Sequence, residues 1–135
     1  MSRSFAFVAF SFLALCSCTL FFGKGNRIYF DTHSKNVIAN HTIRRLTVDV
    51  ENGELYSFEL RDHRKGSDTI NIEKLPAGYV VNRIDYKNYS QTTDQPFKIR
   101  PNIRFTIQHH SNGDAASCSL TYDVDSSGTI IRSGY

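Results

Sequence analysis

The chain has 135 residues and a formal net charge of +3, from 16 Lys and Arg against 13 Asp and Glu. Hydrophobic residues make up 40% and charged residues 21%, ordinary globular usage that excludes disorder for the bulk of the chain and leaves room for one domain with a small core. Basic and acidic residues alternate without a long block, which argues against nucleic acid as a partner.

An export signal stands first. Arg3 supplies a basic start, Phe5 to Leu15 (FAFVAFSFLAL) an apolar core, and Cys16-Ser17-Cys18 a small-residue exit. That order is the layout of a secretory signal. Leu15-Cys16-Ser17-Cys18 resembles the lipobox of bacterial lipoproteins, with a leucine three places before the modified cysteine and a small residue directly before it. The departure from the pattern is Cys16, where Ala, Ser or Thr is commoner. The resemblance implies that Cys18 is the lipidation site and that residues 1–17 are removed as the signal peptide. It implies a lipidated tether over 18–26 and a domain over 27–135. Thr19 after the cysteine is not the Asp that resembles inner-membrane retention, so the implied location is the outer membrane, facing the periplasm. Two or more acyl chains suffice for stable anchoring.

Two alternatives stay open. Thr19-Leu20-Phe21-Phe22 extends the apolar stretch to 18 residues, the lower edge for an uncleaved membrane-spanning helix. In ordinary secretion, with cleavage near Cys18, that cysteine would instead be able to pair with Cys118 and staple the two ends of the domain. All three place the domain outside the cytoplasm. Under lipidation Cys118 is expected to be a buried thiol acting as a small hydrophobe, because Cys118, Leu120, Tyr122 and Val124 share one strand face.

Beyond the tether the pattern has period two. Arg27 to Asp31 opens the domain, and Asn36 to Ala39 is expected to add an edge. Leu46-Thr47-Val48-Asp49-Val50 and Tyr56-Ser57-Phe58-Glu59-Leu60 alternate cleanly around Asn52-Gly53, a hairpin signal that predicts a type I′ turn with both central residues at positive φ. Further strands are expected over 69–72, 79–86, 97–99, 103–109, 117–124 and 129–132. No segment of the mature chain shows a 3.6-residue period. Regular short strands with turn residues between them predict an all-β antiparallel β-sandwich of about seven to nine strands. The stretch from Ile70 to Tyr86, with Leu-Pro-Ala-Gly-Tyr in its middle, resembles transthyretin-like and immunoglobulin-like sandwiches; this implies the fold class and no function. The expected core is Leu46, Val48, Val50, Tyr56, Phe58, Leu60, Ile70, Ile72, Val80, Ile84, Phe105, Ile107, Leu120, Tyr122 and Val124.

Chemistry-bearing motifs are sparse. Asp123-Val124-Asp125-Ser126-Ser127-Gly128 has the opening of a calcium loop, but its twelfth position is Gly134 where a bidentate Glu is needed. His109-His110 would point to opposite faces of a strand and would not chelate one ion. His33, His41 and His63 lack metal-site spacing. Glu51 and Glu54 flank the hairpin turn and are expected to be solvated. Arg61-Asp62-His63-Arg64-Lys65 is the densest charged run, read as a solvated loop with an anion-binding patch as the sharper alternative. Asn40-His41-Thr42 and Asn88-Tyr89-Ser90 match glycosylation sequons, which matter only in a eukaryotic source. There is no Gly-x-Ser-x-Gly elbow and no glycine-rich phosphate loop.

The expectation is therefore a non-enzymatic envelope protein without catalytic, cofactor or metal residues: a binding, assembly-accessory or inhibitory module. Its partners would be the membrane, through Cys18, and an envelope protein or cell-wall component. The alternatives are a subunit of a secretion or surface assembly, and a small envelope hydrolase.

Overall fold

In a computed structural model, residues 27–110 and 118–133 are described. The expected signal peptide over 1–17, the expected tether with Cys18, and the turn expected at Ser111-Asn112-Gly113 lie outside them. The described residues form ten strands and no helix: β1 (Ile28–Asp31), β2 (Asn36–Ala39), β3 (Arg45–Val50), β4 (Glu54–Leu60), β5 (Thr69–Asn71), β6 (Tyr79–Asp85), β7 (Ser90–Thr93), β8 (Arg104–His110), β9 (Cys118–Val124) and β10 (Ile130–Arg132). They make an antiparallel β-sandwich from a three-stranded sheet, β1-β2-β5, and a seven-stranded sheet, β10-β9-β8-β3-β4-β6-β7.

The alternating runs find one another as their patterns require. Leu46 pairs with Phe58 and Val48 with Tyr56 across β3 and β4, while Val48 and Val50 meet Ile107 and Phe105 of β8. Slipping this register by one residue would turn every one of these side chains outward. The small sheet covers that apolar face with Ile28, Phe30, Val37, Ala39 and Ile70, all buried in one continuous core. Phe30 joins the layers, its ring edge-on to Tyr122 at 5.0 Å and to Phe105 at 6.0 Å. Such aromatic pairs add about 0.5–1.5 kcal/mol to the burial itself.

The structure corrects five local expectations. The β3–β4 hairpin forms, but its turn is not type I′. Val50 pairs with Glu54, leaving Glu51-Asn52-Gly53 as a three-residue loop, and among these only Gly53 has positive φ, at 103°. A type I turn closed by one left-handed residue meets the same strand twist with one glycine. β2 is the central strand of its sheet rather than an edge. Residues 97–99 are not a strand: Phe97 enters as a loop side chain and is fully buried between Tyr56 and Phe105. The strand in that region is β7, whose Ser-Gln-Thr-Thr is exposed throughout and carries no alternation to read. β6 turns Tyr79 and Val81 inward in place of Val80 and Ile84, because Tyr79-Val80-Val81 is apolar on both faces and polar contacts decide the register. The Tyr79 hydroxyl donates to Ile43 O and accepts from Ser67 N.

Candidate functional site

The β3–β4 hairpin runs antiparallel, so the start of β3 lies beside the end of β4. Arg44 and Arg45 thereby meet the segment that follows Leu60. Arg44, Arg45, Glu59, Leu60, Arg61, Asp62, His63 and Arg64 line one polar cleft of about 330 Å³. Arg45 is held by Glu59 at 3.5 Å. Arg44, Arg61 and Arg64 make no ion pair within 4.0 Å among the described residues. Four guanidinium groups thus face two carboxylates, one of them engaged. Arg61 to Lys65 form an exposed loop, as the sequence implied, and the fold brings Arg61 to Arg64 beside Arg44 and Arg45, a pair the sequence pattern did not single out.

The cleft walls are held by main-chain bonds. Arg61 N donates to Gly78 O at 2.9 Å and Arg64 N to Arg61 O at 3.2 Å, with His63 between them at φ 62°. Two residues on, Gly66 is packed so closely that a Cβ there would stand 2.5 Å from Thr42 Cγ2. The loop is therefore shaped before any ligand arrives. The lining includes His63 with Asp62 and Glu59 but no Ser, Thr or Cys side chain to serve as a nucleophile. Its guanidinium groups present planar, always-charged donors, a set that suits an anion.

At the opposite end of the same sheet lies a second polar group that the sequence reading misjudged. Glu54 is not solvated; it is 8% exposed on the inner face of β4. Arg83 Nε donates to it at 3.0 Å, Arg100 Nη2 at 2.9 Å and the Tyr56 hydroxyl at 2.9 Å, with Asn52 Nδ2 as a fourth donor. Burial pushes its carboxyl up, but the four hydrogen bonds outweigh that and bring it down to about 2 from an ordinary 4.5. Every acceptor site is in use, so this network holds structure: it ties β4, β6 and the 97–101 segment together. Glu51 remains exposed.

Just beyond this network the β6–β7 turn carries two tyrosines into solvent. Tyr86 is 57% exposed and Tyr89 95% exposed, the latter at φ 52°. Asp85 Oδ1 accepts from Lys87 N and Asn88 N, which fixes the turn, and Tyr86 N donates to Gly53 O at 3.0 Å. An exposed aromatic side chain in a left-handed conformation is an uncommon combination.

His109 and His110 separate as strand geometry demands. His109 is buried on the inner face with Nδ1 lacking a hydrogen-bond partner; burial first, then His110 and His41, hold its pKa below the usual value. His110 Nε2 meets Thr47 Oγ1 at 2.9 Å on the outer face. Asp125 spends its carboxylate on Ser127 N, Ser127 Oγ and Thr129 N, closing the β9–β10 turn. Among the described residues no group of three or more His, Cys, Asp and Glu is placed to hold a metal ion.

Cys118 is buried, as its strand face implied, but it is not a thiol: it is disulfide-bonded. The other two cysteines of the sequence are Cys16 and Cys18, and both lie outside the described residues. No family model, curated protein or solved structure matches the chain.

Proposed function

We propose that this protein is an exported, membrane-tethered binding module of the bacterial cell envelope, without enzymatic activity of its own. The observation that carries the binding reading is the arginine cleft: a concave site of fixed charge with no Ser, Thr or Cys in its lining. The export reading rests on the Phe5–Leu15 apolar core and its small-residue exit, and the tether on Cys18 in the lipobox-like Leu15-Cys16-Ser17-Cys18. On this reading the domain stays at the outer membrane, facing the periplasm. The tyrosines of the β6–β7 turn, at the far end of the sheet, are available to an envelope protein or cell-wall partner. Tyrosine gives a large amphipathic contact with few rotatable bonds, which suits it to recognition surfaces.

The bond at Cys118 stands against acylation of Cys18 and favours a second reading of the anchor, because removal of residues 1–17 takes Cys16 away and leaves Cys18 as the remaining cysteine of the sequence that can pair with it. If Cys18 is its partner, the cysteine is not acylated and the domain is secreted with its ends stapled. Acylation and a disulfide at Cys18 exclude each other, so intact-mass measurement of the processed protein separates them. The tether predicts a mature chain beginning at Cys18 and carrying the acyl mass, with processing abolished by Cys18→Ala. A mature chain without added acyl mass that gains two hydrogens on reduction would establish the staple and overturn the tether.

A further inference from the structure

We propose that the cleft between Arg44 and Arg64 docks phosphate groups, supplied by the headgroups of the anionic membrane surface to which the chain is tethered. The inference rests on the tether reading and names the ligand of the cleft described above. Three of its arginines have no carboxylate partner among the described residues, so the cleft suits a ligand with several acceptor oxygens and a full negative charge. Phosphate offers both, and guanidinium groups meet it in bidentate geometry. A volume of about 330 Å³ lies at the small end of ligand pockets, which run from about 300 to 1,000 Å³.

The position of the cleft decides the source. Arg27 begins the described chain, and its N–H donates to Asn40 Oδ1 at 3.0 Å while Asn40 N donates back to Arg27 O. Neighbouring bonds continue to the cleft: Ala39 N to Asp68 O, and Ile43 N to Ser67 O, one residue before Arg44 and three after Arg64. The chain therefore enters the domain at the same end as the arginines. Eight residues lie between Cys18 and Arg27, a span of at most about 30 Å when extended. An acyl anchor at Cys18 would hold that end over the bilayer, where each Lys or Arg near an anionic surface adds attraction that fades within a Debye length. The tyrosine turn then faces away from the membrane.

The test uses the full-length processed protein in detergent micelles and in vesicles. Phenylglyoxal labelling, mapped by peptide mass, reads the accessibility of Arg44, Arg61 and Arg64. Inorganic pyrophosphate is the soluble probe, and phosphatidylcholine vesicles with or without phosphatidylglycerol are the membrane probe. Pyrophosphate is expected to slow labelling by about tenfold, and phosphatidylglycerol to do the same where phosphatidylcholine alone does not. Both effects should weaken with salt. The double variant Arg61→Gln, Arg64→Gln keeps the main-chain bonds of the loop, so it should retain the wild-type unfolding midpoint while losing protection at Arg44. Unchanged labelling in every condition overturns the site. Protection by pyrophosphate with none from phosphatidylglycerol overturns the membrane as its source. An unacylated chain that both probes still protect would sink the tether and leave the cleft standing.

Discussion

Glu54 is the residue on which sequence and structure disagree most instructively. Its place beside a hairpin turn made it look solvated, yet the β4–β6 register sets it opposite Asp85 and two pairs from Arg83, on the same face. An acidic side chain on an inner face survives only with partners, because a buried unpaired charge is costly. Its pKa of about 2 links it to acid stability. A carboxyl whose folded value lies below its unfolded value stabilises the fold fully above the unfolded value. That stability is lost as pH falls from about 4.5 towards 2. Glu54→Gln should therefore lower unfolding free energy at neutral pH by about 2 kcal/mol, and should flatten the acid limb of a urea-midpoint-against-pH profile. A variant with the wild-type acid limb would show that the network carries no such linkage.

Among the elements, the β3–β4 hairpin supports the large sheet and β6 shows how its neighbours take sides. The hairpin was legible because Asn-Gly interrupts two clean alternations, but the turn type was not. Two or three loop residues give the same apolar pattern, and only Gly53 at φ 103° distinguishes them. Gly53→Ala should cost about 1–2 kcal/mol, since an alanine there is strained and its Cβ would press on Lys87 Cγ at 3.3 Å. Asn52→Ala, at ordinary negative φ, loses its bond to Glu54 and leaves the backbone unstrained, so thermal unfolding of the two variants should separate a backbone effect from a side-chain one. In β6, Tyr79-Val80-Val81 would fit either face; hydrogen bonds from the tyrosine hydroxyl and the pull of Glu54 on Arg83 select one.

Across the whole molecule, a single core joins the sheets, and Phe97 closes it from a loop. It is fully buried against Tyr56 and Phe105 although no strand carries it. Phe97→Ala should destabilise the domain by about 3–5 kcal/mol in equilibrium denaturation, the usual range for emptying a buried aromatic site. Exposed Tyr89→Ala should change it by less than about 1 kcal/mol. The molecule is also polar in the sense of having two unlike ends. Chain entry and the arginine cleft share one, and the tyrosine turn occupies the other. That division follows from antiparallel connectivity, which returns each strand to the end its predecessor left.

Period-two alternation by itself determined the fold class, most strand positions and the inner faces of β3, β4, β8 and β9. Burial of one face is written directly into such residues as Leu46, Val48 and Val50. The proposed export signal likewise rests on a local property, contiguous apolar length. Only the tertiary structure decided the rest. Arg44 and Arg61 are distant in sequence and meet because two strands pair; Glu54 is buried because Arg83 and Arg100 arrive from elsewhere; Phe97 is core because a space exists for it. These depend on contacts between segments, and a pattern read along one segment carries no information about which other segment will lie against it.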